Sequence, residues 1–176
     1  MDLEQTGFDS FTSLGEDDAL DDLNERVSGN RNEWLRFVVN RQDYGVSVLQ
    51  VQEILCAGDI TPVSGAPHFV LGVINVRGNI VTVVDARRRL RLPPRAADDS
   101  IGWIVILDVD DQHVGLVVDE VLEVQVLNND NVENLQGDMA FEVEGVIETE
   151  AGMMILVDAR MMAGMNEVAG EQGAAA

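Results

Sequence analysis

The chain has 176 residues and a formal net charge of −21, with eleven arginines and no lysine against 32 acidic residues. Such a negative field repels nucleic acid and anionic lipid, so we expect neither as a partner. The single cysteine, Cys56, excludes an intrachain disulfide and a multi-cysteine metal site, and we expect it in the core as a small apolar residue.

The N-terminus carries no basic segment followed by an apolar core, which a secretory signal would need. No apolar run approaches the roughly 20 residues required to span a membrane. We therefore expect a cytoplasmic protein without direct membrane insertion.

Residues 1–32 contain nine acidic residues and two arginines. This composition predicts an acidic, disordered extension. The spacing of Leu20, Leu23 and Val27 leaves an alternative open, in which a short amphipathic helix folds into a partner's groove. At the other end, the Gly- and Ala-rich residues 166–176 are predicted to form a flexible tail.

Alternating apolar residues predict that the first half consists of short strands, at 34–39, 44–48, 70–76 and 80–84. Residues 51–54 are predicted to form a helical turn that leads into a further strand. Arg77-Gly78-Asn79 joins the last two strands, because glycine and asparagine accept the positive φ of a tight turn. Asp85 follows as the N-cap of a short helix.

The second half repeats the first. Gly145–Arg160 aligns without a gap on Gly72–Arg87, sharing the initial Gly-Val-Ile and the closing Val-Asp-Ala-Arg. A second matched pair, Gly45–Ile54 and Gly115–Val124, occurs in the same order. These matches indicate an internal duplication of a β unit, with halves at about 34–91 and 101–163. Two small barrels would solve the edge problem that so many short strands raise.

No catalytic constellation is evident. Phosphate-binding loops are absent, and His68 and His113 lack partners at zinc-ligand spacing. The repeated pair Asp85 and Asp158 raises the alternative of an aspartic protease, but Ala-Arg follows each residue, and an adjacent guanidinium would keep a carboxylate ionised. Helix caps are the favoured interpretation. We expect no enzyme activity, no metal and no cofactor.

Several motifs together resemble the CheW family of chemotaxis adaptors. In the first half they are Glu33–Phe37, Tyr44–Val48, Val51–Ile54, Thr61–Val63, Phe69–Gly78 and Val83–Arg87. In the second half they are Val117–Val121, Gly145–Ile147 and Leu156–Asp158.

The resemblance implies a mainly β fold of two intertwined five-stranded SH3-like barrels with short helices, spanning about residues 33–165. It also implies a non-catalytic adaptor that couples the cytoplasmic tips of chemoreceptors to the regulatory domain of the histidine kinase CheA. Such an adaptor would lie at membrane-associated receptor arrays.

Matching positions carry over specific roles. Val51, Glu53, Ile54 and Arg77 fall on family positions that face the receptor, with the alternative that Val51 and Ile54 are core residues and Arg77 a solvated hairpin tip. The kinase-side candidates lie on strands expected at barrel edges: Gly72, Val73, Ile74, Trp103, Ile104 and Val105. The acidic extension has no counterpart in the minimal family pattern. It leaves open a role in polar localisation or surface motility.

Overall fold

The computed structural model describes residues 33–96, 102–134 and 143–164, together with the helical residues 19–21 and 23–24. The described residues contain ten strands: Glu33–Val39 (β1), Gln42–Ser47 (β2), Val51–Cys56 (β3), Val70–Val76 (β4), Asn79–Asp85 (β5), Trp103–Val109 (β6), Gln112–Val118 (β7), Glu120–Val126 (β8), Val143–Thr149 (β9) and Gly152–Val157 (β10). Besides the helical residues 19–21 and 23–24, four short helices accompany the strands: the 3-10 turns Val48–Gln50 and Asn129–Asn131, and the α-helices Ala86–Arg89 and Ala159–Met162.

The strands form two five-stranded SH3-like barrels. The first barrel has the order β8-β1-β2-β10-β9, and the second has the order β3-β6-β7-β5-β4. Each barrel contains one parallel pair, β2 with β10 in the first and β5 with β7 in the second, while the other neighbours are antiparallel.

The two halves of the sequence exchange strands. Strands β1 to β5 correspond in order to β6 to β10, and each barrel combines the first two strands of one half with the last three of the other. Strands of different halves meet in the parallel pairs β2–β10 and β5–β7 and in the antiparallel pairs β1–β8 and β3–β6. The predicted fold class, two intertwined five-stranded barrels derived from a duplication, is confirmed.

Strand alternation sorts the apolar residues into three clusters. Within the first barrel lie Trp34, Leu127, Ile147, Met154 and Leu156. Within the second lie Val81, Val83, Ile104, Ile106 and Val117. The largest cluster draws residues from both barrels. On β6, for example, Ile104 and Ile106 point into the barrel, while Val105 and Leu107 belong to the shared cluster. This is why β6 is a nearly continuous apolar run.

The repeated glycine has the same structural cause in both halves. The chain following β3 crosses β4, where Thr61 and Val73 exchange backbone hydrogen bonds of 2.9 and 2.8 Å. A Cβ atom on the adjacent Gly72 would lie 2.1 Å from the Thr61 carbonyl oxygen. Glu133 and Val146 make the equivalent crossing in the first barrel. Glycine at these positions therefore lets the barrels close.

The repeated aspartates are helix N-caps, as predicted. Asp85 Oδ1 accepts a 3.0 Å hydrogen bond from the Arg87 amide, and Asp158 Oδ1 accepts a 2.7 Å bond from the Arg160 amide. Each carboxylate thereby satisfies an amide that has no partner within its own helix.

Asp119, between β7 and β8, connects segments from both barrels. Its carboxylate accepts hydrogen bonds from Arg87 and Arg95, both with contacts of 2.7 Å, and from the Asn40 amide at 2.7 Å. Burial alone would raise the pKa of Asp119, but the hydrogen bonds from Arg87, Arg95 and Asn40 outweigh it and lower the pKa to about 2. The two guanidinium groups thus stabilise the ionised carboxylate.

Three local expectations from the sequence are wrong. Residues 51–54 belong to strand β3, because the helical turn comes earlier, at Val48–Gln50, where Ser47 caps it. The tight turn is Arg77-Gly78, with φ of 52° and 87°, and Asn79 already belongs to β5. Cys56 is exposed, because it ends β3 on the outward side of the strand.

Residues 19–21 and 23–24 lie within the extension predicted to be disordered, yet they are helical. The predicted flexible tail, 166–176, lies outside the described residues. Where the structure describes the chain, no helix is long and apolar enough to cross a membrane.

We expect Gly72→Ala to lower the free energy of unfolding by about 3 kcal/mol, because the new methyl group would meet backbone that cannot move without opening the barrel. Urea unfolding followed by circular dichroism measures the change. Gly58→Ala is the matched control, because no atom lies within 4 Å of its Cβ position. Equal stability of the two variants would contradict this account of barrel closure.

We expect Asp119→Asn to destabilise the protein by about 2 kcal/mol at pH 7, because a lowered pKa stabilises the fold where the carboxylate is ionised. The wild-type contribution is present above about pH 4 and disappears as the pH falls towards 2. The difference between variant and wild type should therefore shrink over that range in urea titrations. Asp108→Asn, at an exposed position, serves as control. A difference independent of pH would contradict the assignment.

Candidate partner-binding surface

Strand β3 is an end strand of the second barrel's sheet, so within the described part of the chain one side of its backbone is not paired with another strand. The predicted site residues Val51 and Ile54 lie on this strand, but their side chains are buried in the cluster shared by the barrels. Their side chains therefore hold β3 against the core, and a partner approaching this edge would meet the strand's backbone and its remaining side chains.

Glu53 and Arg77, the other two predicted receptor-side residues, contact each other. Arg77 Nη2 lies 3.0 Å from Glu53 Oε2, so the tip of the β4–β5 hairpin reaches β3. The Arg77 side chain is 79% exposed, whereas that of Glu53 is 14% exposed. The contact with Glu53 uses one of the five guanidinium N–H donors of Arg77. The other four can donate to an incoming acceptor.

This ion pair has no equivalent in the first barrel. The duplication aligns Glu53 with Glu123 and Arg77 with Glu150, and two carboxylates cannot form such a bridge. Glu123 instead lies 3.5 Å from Arg36 on the neighbouring strand β1. The asymmetry distinguishes this end of the second barrel from its duplicate.

The unpaired side of β3 is contacted by Asn24, a residue for which we had no functional expectation. Its Oδ1 accepts a 2.7 Å hydrogen bond from the Ile54 amide, and its Nδ2 donates a 3.3 Å bond to the Ile54 carbonyl oxygen. The Glu53–Arg77 pair and this outer backbone edge of Ile54 are together called the β3 surface below.

Leu20 and Leu23 precede Asn24 on the same helical segment and pack, partly buried, against the shared cluster. Their spacing was the one signal in the sequence for a helix here. Nothing in the sequence indicated that the helix would contact its own barrel.

The kinase-side candidates divide into two groups. Val73 and Ile74 are half-buried on β4, which is an edge strand as expected, and Gly72 is buried beneath the Thr61 crossing. The expectation that β6 is an edge strand is wrong. It lies between β3 and β7, so Ile104 and Val105 are 1% and 0% exposed.

Trp103, at the start of β6, is half-buried against the shared cluster. The sequence could not reveal the position of β6, because a strand buried on both faces and an edge strand with an apolar partner have the same composition.

The two repeated aspartates make separate contacts. Asp85 is buried, with Arg88 Nε 3.7 Å from its Oδ2, while Asp158 lies beside Glu144. Desolvation, followed by a hydrogen bond with Asp158 and its charge, raises the pKa of Glu144 to about 7.

Among the described residues, no group of three or more histidine, cysteine or acidic side chains is placed to hold a metal ion.

Comparisons with known proteins identify the relatives of this chain. The model of the CheW-like domain family matches residues 33–166. The chain is similar to the chemotaxis protein CheW of Bacillus subtilis, with 33% identity, covering 70% of this chain and 81% of that protein. Its similarity to CheW of Klebsiella aerogenes is 31%, covering 78% and 84%.

A solved structure has the same architecture. The crystal structure of the scaffolding protein TtCheW from Thermoanaerobacter tengcongensis superposes with a TM-score of 0.68 at 26% identity. The match covers 76% of this chain and 92% of that one.

Because the Arg77 side chain is 79% exposed, we expect the Arg77–Glu53 pair to contribute only about 0.5 kcal/mol to stability. Arg77→Ala, Glu53→Gln and the double variant form a cycle in urea unfolding that measures this coupling. A loss above about 2 kcal/mol for Arg77→Ala would mean that the arginine is mainly a structural residue.

Proposed function

Because the chain belongs to the CheW-like family of chemotaxis adaptor proteins, which are scaffolds and not enzymes, we propose that it couples chemoreceptor signalling tips to the regulatory domain of the kinase CheA. We place it at receptor arrays in the cytoplasm. Its role is to bind two partners at once on separate faces.

We assign receptor binding to the β3 surface. The exposed Arg77 beside Glu53 is the observation that carries this assignment, since it offers charge-assisted hydrogen bonds next to the outer edge of β3. A guanidinium can bind side-chain acceptors presented along one face of a helical receptor tip and so fix its register. Such contacts would determine orientation and partner choice as well as affinity.

In this proposal Val51 and Ile54 contribute to receptor binding indirectly. Both are buried, at 7% and 1% exposure, so they position β3 and do not themselves offer an apolar surface to the receptor helix. Substituting either of them would alter receptor binding through the position of Glu53 and of the Ile54 backbone. This differs from direct contact, which the family resemblance implied for them.

We assign kinase binding to the β4 side of the second barrel. Val73 and Ile74 are half-buried there, and Ile80 on the paired strand β5 is 68% exposed, which gives this side an accessible apolar character. Gly72 supports the surface by allowing the Thr61 crossing. Ile104 and Val105 have too little exposed area to contribute to kinase binding, and Trp103 directly precedes them on β6.

The proposal is tested by binding assays with Arg77→Glu. Reversing the charge places two carboxylates side by side, so we expect affinity for a soluble receptor-tip fragment to fall at least about tenfold. Affinity for the isolated CheA regulatory domain should remain unchanged. Isothermal titration calorimetry with each partner measures both.

Arg41→Glu is the matched control, because Arg41 is also exposed in a tight hairpin turn, with φ of 66°, but lies on the first barrel. Equal weakening by both variants would show that net charge, and not the β3 surface, controls binding. Failure of the wild-type protein to bind either partner would refute the adaptor function.

A further inference from the structure

We propose that the helical residues 19–21, 23 and 24 of the acidic extension are an internal ligand that covers the outer backbone edge of Ile54, within the β3 surface, and competes with a receptor helix for it. This inference rests on the proposed function for the identity of the competitor. The contact between the extension and β3 is independent of that function.

The hydrogen bonds to Ile54 are those that a neighbouring strand would make. Ile54 is opposite Val105 of β6, yet its N–H and C=O both bond to Asn24 and so point away from β6. In an antiparallel ladder the two backbone groups of one residue point to the same side. The Asn24 carboxamide therefore takes the place of a peptide group on the open edge, matching one acceptor and one donor.

The same helical face supplies apolar contacts. Leu20, Leu23 and Asn24 occupy positions i, i+3 and i+4, which lie together on one side of a helix. Both leucines pack against the cluster that contains Ile54, and Asp21 on the other side is exposed. A short amphipathic helix is thus seated at the edge strand through two leucines and a polar side chain.

A receptor helix and this segment cannot both occupy the outer edge of Ile54. The single N–H of Ile54 donates to Asn24, and the Asn24 side chain also occupies the space in front of the Ile54 carbonyl oxygen. A partner that reaches Glu53 and Arg77 from this edge must displace the segment, so the observed affinity falls by the fraction of molecules in which the edge is covered. The occupant also indicates what such a partner must offer: a side chain with both a donor and an acceptor, flanked by apolar residues.

Electrostatic repulsion weakens the contact between the acidic extension and β3, so that a partner can displace it. Residues 1–32 and the remainder of the chain both carry more acidic than basic residues. Their mutual repulsion opposes docking, and the apolar and hydrogen-bond contacts must overcome it. A weakly held cover can regulate binding without abolishing it.

The experiment uses the full chain carrying either Asn24→Ala, which removes both hydrogen bonds to Ile54, or the pair Leu20→Ser and Leu23→Ser, which removes the apolar contacts. Asp21→Asn is the matched control, on the exposed side of the same helix. Two quantities are measured for each protein: the exchange rate of the Ile54 amide by NMR, and the affinity for the soluble receptor-tip fragment.

We expect both contact variants to speed exchange of the Ile54 amide about tenfold and to tighten binding of the tip fragment about tenfold, with the control matching wild type. Unchanged amide exchange in both variants would overturn the internal contact. Faster exchange with unchanged affinity would overturn the competition while leaving the adaptor function intact. If no protein in the series bound the tip fragment, the adaptor function would fail, and the competition with it.

Discussion

Neither half of this duplicated chain can complete a barrel alone, and the remaining architecture depends on that constraint. The parallel pairs β2–β10 and β5–β7 join strands from different halves, so each barrel closes only with strands borrowed from the other. The largest apolar cluster contains residues of both barrels for the same reason. Both binding regions that we propose belong to the second barrel, and this continuous core holds them in a fixed arrangement. A scaffold that must orient two partners benefits from such rigidity.

Duplication also explains which features occur twice and which occur once. Gly72 and Gly145 both lie beneath a crossing chain, and Asp85 and Asp158 both cap a helix, because these roles belong to the closure of a barrel. The Glu53–Arg77 pair occurs in the second barrel alone, since the aligned positions in the first are both glutamates. Features needed for folding are repeated, while those we assign to recognition have diverged.

Much of the fold could be predicted from the sequence, because alternation, turn residues and the internal repeat are local or periodic signals. The paired Gly and Asp-Ala-Arg motifs located the duplicated hairpins and their caps. The position of β6 could not be predicted in this way, since strand order depends on contacts between distant residues. The same limit applies to the site: the Arg77–Glu53 contact joins a hairpin tip to another strand, and Asn24 reaches Ile54 from thirty residues away.

The strand exchange has a consequence for biosynthesis. The first barrel contains β1 and β2, but the parallel partner of β2 is β10, the last strand among the described residues. During synthesis β1 and β2 leave the ribosome long before β10. Their apolar faces therefore remain exposed to solvent or are bound by a chaperone until β10 is available. The many contacts between distant residues also slow the closing step. Truncation shortly before β10 would therefore leave both SH3-like units unfinished, not one alone, since Met162 and Val157 complete the shared cluster.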